Sequence, residues 1–281
     1  MRVSVVKGAG FCFGVKRAIK MASDAAQNGK NKVYTLGPLI HNPQVVEALR
    51  KKGVEVVENL NQIKQGTMII RSHGVHPQVI SQAKKKGLKI IDATCPFVKT
   101  AQKKAKLLHD QNYQVVVVGE ADHPEVKGIV GYSQDKALVM NHKIKNFDFS
   151  KFRKLGVVAQ TTLNLNSFKK SVDRLLESSK EIKIYNTICS ATATTQSKSL
   201  KLAREVDLML VVGGRNSANT SRLARLCQEA GTKAYHLETA EELDKRWFRG
   251  VKRVGITAGS STPEWIIKEV SKEVREINKR K

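Results

Sequence analysis

Short apolar runs set the rhythm of this chain. Three of them end on a glycine and are followed four residues later by a polar side chain that opens a helical stretch. They are Val33-Tyr34-Thr35-Leu36-Gly37 with His41, residues 115–118 and Gly119 with His123, and Leu210-Val211-Val212-Gly213 with Ser217. Two residues further on stand Pro43, Glu125 and Asn219. A second kind of strand precedes each run and delivers a cysteine to a strand–helix junction: Cys12 after residues 3–6, Cys95 after Ile90-Ile91-Asp92, Cys189 after residues 182–185. From cysteine to glycine the separations are 25, 24 and 24 residues. A third strand in each unit ends in small polar residues, at 68–73, 157–162 and 254–261. The stretches that follow, 78–86, 167–178 and 263–277, carry apolar residues near the 3.6-residue period of a helix. Pro263 suits a first helical turn, where a missing N–H costs nothing. Three features in one register are the mark of an internal repeat.

In the first two units a strand leads on into the next cysteine, whereas the third ends after its helix. The missing strand stands at the N-terminus, in Arg2-Val3-Ser4-Val5-Val6 before Cys12, so the chain is expected to close on itself. The predicted units are 14–95, 96–189 and 190–281, the last completed by 1–13. Alternating strands and helices imply an α/β fold with parallel sheets and right-handed crossovers. In such sheets ligands gather at the carboxyl ends of the strands, where all the polar groups named above fall. A pseudo-threefold relation between the units would aim these loops at one centre.

No stretch approaches the roughly 20 apolar residues of a membrane span. The apolar run at 3–6 is too short for a signal peptide and is broken at once by Lys7, so a cytoplasmic protein without membrane attachment is expected. Against 25 Asp and Glu stand 50 Lys and Arg, a formal charge of +25. Such a charge suits phosphate backbones. Yet the cations are spread over nearly every predicted helix, through to Lys279-Arg280-Lys281, and aromatics are only 5%. That distribution reads as a solvated Lys-rich surface with no nucleic-acid partner, and its field would steer anionic substrates and acidic proteins.

None of the four cysteines forms a C-x-x-C pair, which argues against a zinc knuckle or a thioredoxin motif. A lone cysteine is ordinarily a small buried hydrophobe, and Cys227 reads that way, on the core face of a helix. The repeat register lifts Cys12, Cys95 and Cys189 out of that class. Three thiolates from three repeats suit a soft metal centre such as an iron–sulfur cluster, one iron of which would lack a cysteine and stay open. The surrounding loops supply His41, His73, His123, Thr161, Ser217, Asn219 and Ser261, a donor set suited to a phosphate or diphosphate at helix N-termini. Only the second unit places a carboxyl, Glu125, at its loop position. His76, His109, His142 and His236 have no repeat partner and read as surface or packing residues. A cysteine-nucleophile hydrolase would need one special cysteine with a partnered histidine. An iron–sulfur sensor or nucleic-acid binder would suit the charge but gives no reason for Glu125 and the His/Ser/Asn set.

These residues closely resemble the LytB/IspH family of 4-hydroxy-3-methylbut-2-enyl diphosphate reductases. The likeness runs the length of the chain, in order. It starts with Phe11-Cys12-Phe13-Gly14-Val15-Lys16-Arg17-Ala18, Gly37-Pro38-Leu39-Ile40-His41-Asn42, Arg71-Ser72-His73-Gly74-Val75 and Asp92-Ala93-Thr94-Cys95-Pro96. It continues through His123-Pro124-Glu125-Val126, Gln160-Thr161-Thr162-Leu163, Asn186-Thr187-Ile188-Cys189, Asn216-Ser217-Ala218-Asn219 and Thr257-Ala258-Gly259-Ser260-Ser261. The resemblance implies the last step of the non-mevalonate isoprenoid pathway. In that step the allylic hydroxyl is removed with two electrons and protons, giving isopentenyl and dimethylallyl diphosphates. It further implies one [4Fe-4S] cluster on Cys12, Cys95 and Cys189 with its fourth iron open to substrate, and an electron-donor protein of flavodoxin or ferredoxin type. By the same resemblance, the diphosphate is held by His41, His73, His123, Ser217, Asn219 and Ser261, while Glu125 delivers protons and Thr161 relays them or positions the hydroxyl. The chain departs from the family at Ala218, often Ser, which leaves only a backbone N–H there. It departs again at Thr195-Gln196, usually Arg-Gln, where any contact made by the arginine is lost.

Overall fold

The computed structural model describes residues 1–29, 31–141 and 148–279. His142 and the terminal Arg280-Lys281 lie outside the described residues. Three four-stranded sheets, parallel throughout, carry the chain. The first is built from β2 (Val33–Leu36), β3 (Val54–Val57), β4 (Thr67–Ile70) and β5 (Lys89–Asp92), in the order β3-β2-β4-β5. The second comprises β6 (Gln114–Val118), β7 (Leu138–Met140), β8 (Lys154–Ala159) and β9 (Glu181–Tyr185), ordered β7-β6-β8-β9. The third, ordered β11-β10-β12-β1, takes β10 (Leu208–Val212), β11 (Lys233–Leu237) and β12 (Arg253–Ala258), and is completed by β1 (Arg2–Val5). The strand order is therefore the same three times, and the N-terminal strand fills the fourth place of the third sheet, as its position in the repeat predicts. β1 pairs with β12 from Arg2↔Arg253 to Val5↔Ile256.

Helices connect the strands: α1 (Phe13–Asn28), α2 (Pro43–Arg50), α3 (Pro77–Lys85), α4 (Pro96–Asp110), α5 (Pro124–Gly131), α6 (Leu165–Leu176), α7 (Ser190–Ala203), α8 (Ala218–Glu229) and α9 (Glu264–Lys279). Proline stands at the first position of α2, α3, α4 and α5, where its fixed φ is pre-set for a helix and no N–H is needed. Pro263 instead precedes α9, and its carbonyl accepts the Ile267 N–H at 3.5 Å. The edge strands β3, β7 and β11 were not foreseen from the sequence. They are 4, 3 and 5 residues long, too short for a period to declare itself.

Two compact units divide the chain: residues 1–16, 40–47 and 190–281 form one, residues 17–39 and 48–189 the other. In the first, alternate residues of β10 serve two cores. Leu208, Leu210 and Val212 pack with Ile266, Val270 and Val274 of α9, while Met209 and Val211 pack with Leu223 and Cys227 of α8. In the second unit β6 divides likewise. Val116 and Val118 share a core with Phe168 and Leu175 of α6, while Val115 and Val117 pack with Ala101, Ala105 and Leu108 of α4. Both faces of each central strand are thus covered, which explains the unbroken apolar runs. Among the described residues no helix is long and apolar enough to cross a membrane.

Candidate functional site

The carboxyl ends of the three sheets repeat one hydrogen-bonding scheme. At the end of the first strand a glycine N–H donates to the edge strand: Gly37 to the Val57 carbonyl at 2.8 Å, Gly119 to Met140 at 2.9 Å, Gly213 to Leu237 at 2.9 Å. Gly37 has φ +68°, a backbone conformation that favours glycine, and a Cβ there would stand 2.7 Å from the movable end of the Arg71 side chain. The cysteines repeat as closely. Cys12 donates its N–H to Ser260 at 3.2 Å, Cys95 to Ser72 at 2.9 Å and Cys189 to Thr161 at 2.9 Å. Each acceptor lies two residues past the end of β12, β4 or β8, and each cysteine immediately precedes a helix, α1, α4 or α7. Cys12 and Cys95 are half-buried, and Cys189 is buried. Cys227 lies in the α8 core, where burial pushes its thiol up to about 11.

In the unit that contains the first two sheets, side chains brace the cysteine loops. Thr187 Oγ1 accepts the Ala159 N–H at 2.8 Å and donates back to the Ala159 carbonyl at 2.5 Å, tying the approach to Cys189 onto the end of β8. Before Cys95, Arg17 donates to the Thr94 carbonyl at 3.2 Å, and Asp92 accepts the Thr94 N–H at 2.9 Å. Burial alone would raise the Asp92 carboxyl, but hydrogen bonds from Lys99 and Thr94 outweigh it and hold the group below the usual range.

The same unit holds Glu125, which is 1% exposed. It is the second residue of α5, and His123 caps that helix by accepting the Glu125 N–H on Nδ1 at 3.2 Å. The Glu125 carboxylate accepts the Thr161 N–H at 2.6 Å and the Thr161 hydroxyl at 2.9 Å. The rings of His73 and His123 meet edge to face with centroids 5.6 Å apart. Gln160 bridges the two loops, accepting the Glu120 N–H at 3.0 Å and donating to Thr162 Oγ1 at 3.1 Å.

In the unit built on the third sheet, Ser217 caps α8 by accepting the Thr220 N–H at 3.3 Å, and Ala218 is the first helical residue. Asn219, 4% exposed, donates from Nδ2 to Ser260 Oγ at 3.3 Å, while its buried Oδ1 has no hydrogen-bond partner among the described residues. A buried acceptor left in this state calls for a donor from a ligand or water. Ser261 donates its hydroxyl to the His41 carbonyl at 3.2 Å. Asn42, not His41, caps α2, accepting the Val45 N–H at 2.9 Å.

That cap shifts one equivalence by a residue. Counting from the glycines aligns Pro43 with Glu125 and Asn219, but by helix position Pro43 is first and Gln44 second. Gln44, which the sequence did not single out, therefore shares its place with Glu125 and Asn219, and its buried Oε1 lacks a partner among the described residues. Likewise Thr161 corresponds to Ser72 and Ser260, whereas His73 and Ser261 stand one residue later. Arg71 is a further addition. Burial lowers its guanidinium's pKa, against the favourable charge of Glu58. Two of the unassigned histidines have structural partners: His76 caps α3 and pairs with Asp135 at 2.8 Å, and His236 donates to the Gly213 carbonyl at 2.8 Å.

Residues 3–275 match the family model described as LytB protein. A 4-hydroxy-3-methylbut-2-enyl diphosphate reductase from Pelobacter propionicus is 53% identical over 280 residues, spanning 100% of both chains. One from Geobacter sulfurreducens is 50% identical over 281 residues, with 100% of this chain and 99% of the relative aligned. A solved structure of (E)-4-hydroxy-3-methyl-but-2-enyl diphosphate reductase, the terminal enzyme of the non-mevalonate pathway, is 47% identical with a TM-score of 0.72, the match covering 98% of this chain and 100% of that one. The corresponding reductase from Plasmodium falciparum is 29% identical with a TM-score of 0.89, over 98% and 87% of the two chains.

Proposed function

The chain belongs to the LytB family, and from that premise we propose that it is a reductase of 4-hydroxy-3-methylbut-2-enyl diphosphate, yielding isopentenyl and dimethylallyl diphosphates. The family implies an iron–sulfur cluster and a small-molecule diphosphate substrate. The observation that carries the finer reading is the threefold recurrence of one cysteine geometry. Cys12, Cys95 and Cys189 each precede a helix and each donate the backbone N–H to the residue two past a neighbouring strand. Three thiolates in equivalent settings fit a cubane cluster that draws one cysteine from each of three α/β units, 14–95, 96–189 and 190–281 with 1–13, and leaves its fourth iron without a cysteine. Bound there, such a cluster supplies the electrons and a Lewis acid for the departing hydroxyl.

The chain's own residues supply binding and protons. His41, His73, His123, Ser217, Asn219 and Ser261, with the Ala218 backbone N–H, are assigned to the diphosphate and the allylic hydroxyl. The unsatisfied Asn219 Oδ1 is suited to accept from that hydroxyl or from a water beside it. Hydroxide is a poor leaving group unless protonated as it departs. Glu125 holds the acid for this step, and its bond to the Thr161 hydroxyl gives the proton a path from carboxyl to substrate. Electrons are assigned to a flavodoxin- or ferredoxin-type donor, drawn by the positive field of the chain. Anaerobic reconstitution, iron and sulfide counting, and reductant-dependent turnover of the allylic diphosphate test the reading together. A reconstituted chain that binds no iron, or binds it and leaves the substrate unchanged, overturns it.

A further inference from the structure

Beyond the site itself, the unit built on the third sheet carries a surface of unusual make-up beside Cys12. A groove of about 860 Å³ runs between α9 and the loop leading from β1 to α1. Its floor is apolar, with Val5, Val6, Ala9, Phe11 and Ile267. Gly10 sets the loop directly on the helix, since a Cβ there would stand 2.9 Å from Ile267 Cδ1 and 3.0 Å from the Thr262 carbonyl. Among the described residues of this unit, the large exposed hydrophobics are Val5, Phe13 and Trp265, at 43%, 66% and 48% exposure. They belong to β1, the first residue of α1 and the second of α9; Val5 lines the groove, and Trp265 follows the lining residue Glu264 in the chain.

Charge is sorted along the same line. α9 as a whole carries four bases and four acids, yet all four bases, Lys268, Lys272, Arg275 and Lys279, line the groove with Lys16, against only Glu264 and Glu276. Both of those acids are engaged by lysines, Glu264 with Lys268 at 2.8 Å and Glu276 with Lys279 at 2.9 Å. Lys16, Lys272 and Arg275 are the positive excess. Lys198 adds another cation nearby, donating to the Lys7 carbonyl at 3.2 Å. Exposed aromatic and aliphatic anchors rimmed by charge are the make-up of a transient protein interface. A nucleic-acid backbone would have no use for the aliphatic floor or the two carboxylates.

We propose that this groove is the docking surface for the electron donor, a small acidic one-electron carrier protein whose carboxylates meet Lys16, Lys272 and Arg275 while an apolar edge seats on Val5, Phe11 and Trp265. The assignment rests on the reading of Cys12 as a cluster ligand, because Phe11 lines the groove and is its chain neighbour. Each encounter passes one electron. Two reduced carriers are oxidised per substrate, which with two protons becomes product and water.

The test is a calorimetric titration of the reconstituted full-length protein with an acidic plant-type [2Fe–2S] ferredoxin at low salt, alongside turnover with that ferredoxin and with dithionite. Lys272→Glu/Arg275→Glu reverses two solvent-facing charges of the groove. Lys169→Glu/Lys170→Glu makes the same net change on the exposed side of α6 in the other unit. The groove variant is expected to bind ferredoxin at least about tenfold more weakly and to lose ferredoxin-driven turnover in proportion, with iron content and dithionite turnover unchanged. The α6 variant should shift binding by less than about twofold. Equal losses in both variants, no loss in the groove variant, or binding of duplex DNA in place of ferredoxin each overturn the proposal. A wild-type protein without iron or dithionite turnover would sink the reductase reading instead, and the titration would still report on the groove.

Discussion

Two places in the molecule have one architecture and different chemistry. In the second sheet, Glu125 at the second position of α5 accepts from Thr161, two residues past β8. In the third, Asn219 at the second position of α8 donates to Ser260, two residues past β12. Helix position, strand position and burial correspond, at 1% and 4% exposure. The first pair holds an acid whose two oxygens are both engaged. The second holds an amide with an unused acceptor. A triplicated scaffold thus supplies equivalent positions, and single substitutions within them change the chemistry on offer: a carboxyl in one unit, an amide with an open acceptor in another, which the proposed function assigns to proton supply and to substrate recognition.

The largest expected effect comes from removing the proposed cluster ligands. Cys12→Ser, Cys95→Ser or Cys189→Ser should each abolish the cluster and turnover, while Cys227→Ser keeps iron near wild type. Iron and sulfide counts after anaerobic reconstitution decide it, and an equally severe Cys227 variant would end the three-ligand assignment. Next comes Glu125→Gln, which keeps size and hydrogen bonding but removes the acid. Turnover should fall by about 10²–10⁴-fold with an assembled cluster and nearly unchanged KM. If the carboxylate merely favours the N-terminus of α5, worth about 0.3–1 kcal/mol, kcat will stay near wild type.

Thr161→Val deletes the hydroxyl that donates to Glu125, the proposed proton path, while preserving shape. Loss of one buried hydrogen bond, about 1–3 kcal/mol, corresponds to roughly 5–150-fold in kcat. A KM effect with unchanged kcat would make Thr161 a binding residue only. Asn219→Ala sharpens the comparison from the other side: steady-state kinetics should show KM raised by about tenfold and kcat changed less. An Asn219 variant that loses kcat as Glu125→Gln does would mean that the pairs share one role. The smallest effect is expected from salt. Between low ionic strength and 0.15 M, where the Debye length is about 8 Å, turnover with an acidic donor protein should drop more than turnover with dithionite, and parallel curves would detach the basic surface from electron delivery.

Much of this was legible in the sequence because repetition multiplies weak signals. Val33–Leu36 alone is a short apolar run, but three such runs with a cysteine 24 or 25 residues before each glycine define a sheet register. The closing of the third sheet by β1 could be read from a missing strand. The edge strands could not, since Leu138–Met140 is shorter than any period. Nor could Gln44 or Ser260 be found. Sequence counting places Pro43 level with Glu125, and only the Asn42 cap reveals the one-residue offset. The Glu125–Thr161 hydrogen bond joins residues 36 apart, a distance at which no local pattern operates.

The pairing of β1 with β12 has a consequence for biosynthesis. Arg2 is made some 250 residues before its partner Arg253. At about 5–20 residues per second this is an interval of ten seconds or more, during which the opening strand has no ladder to join. Val3 and the apolar segment around it must pass that time exposed or chaperoned, and the loop bearing Cys12 cannot take its final shape until β12 is complete. The unit that joins β1 to β12 is therefore the last to mature, and truncation ahead of β12 should trap it as a vulnerable, protease-sensitive species even while the intervening sheets are already folded.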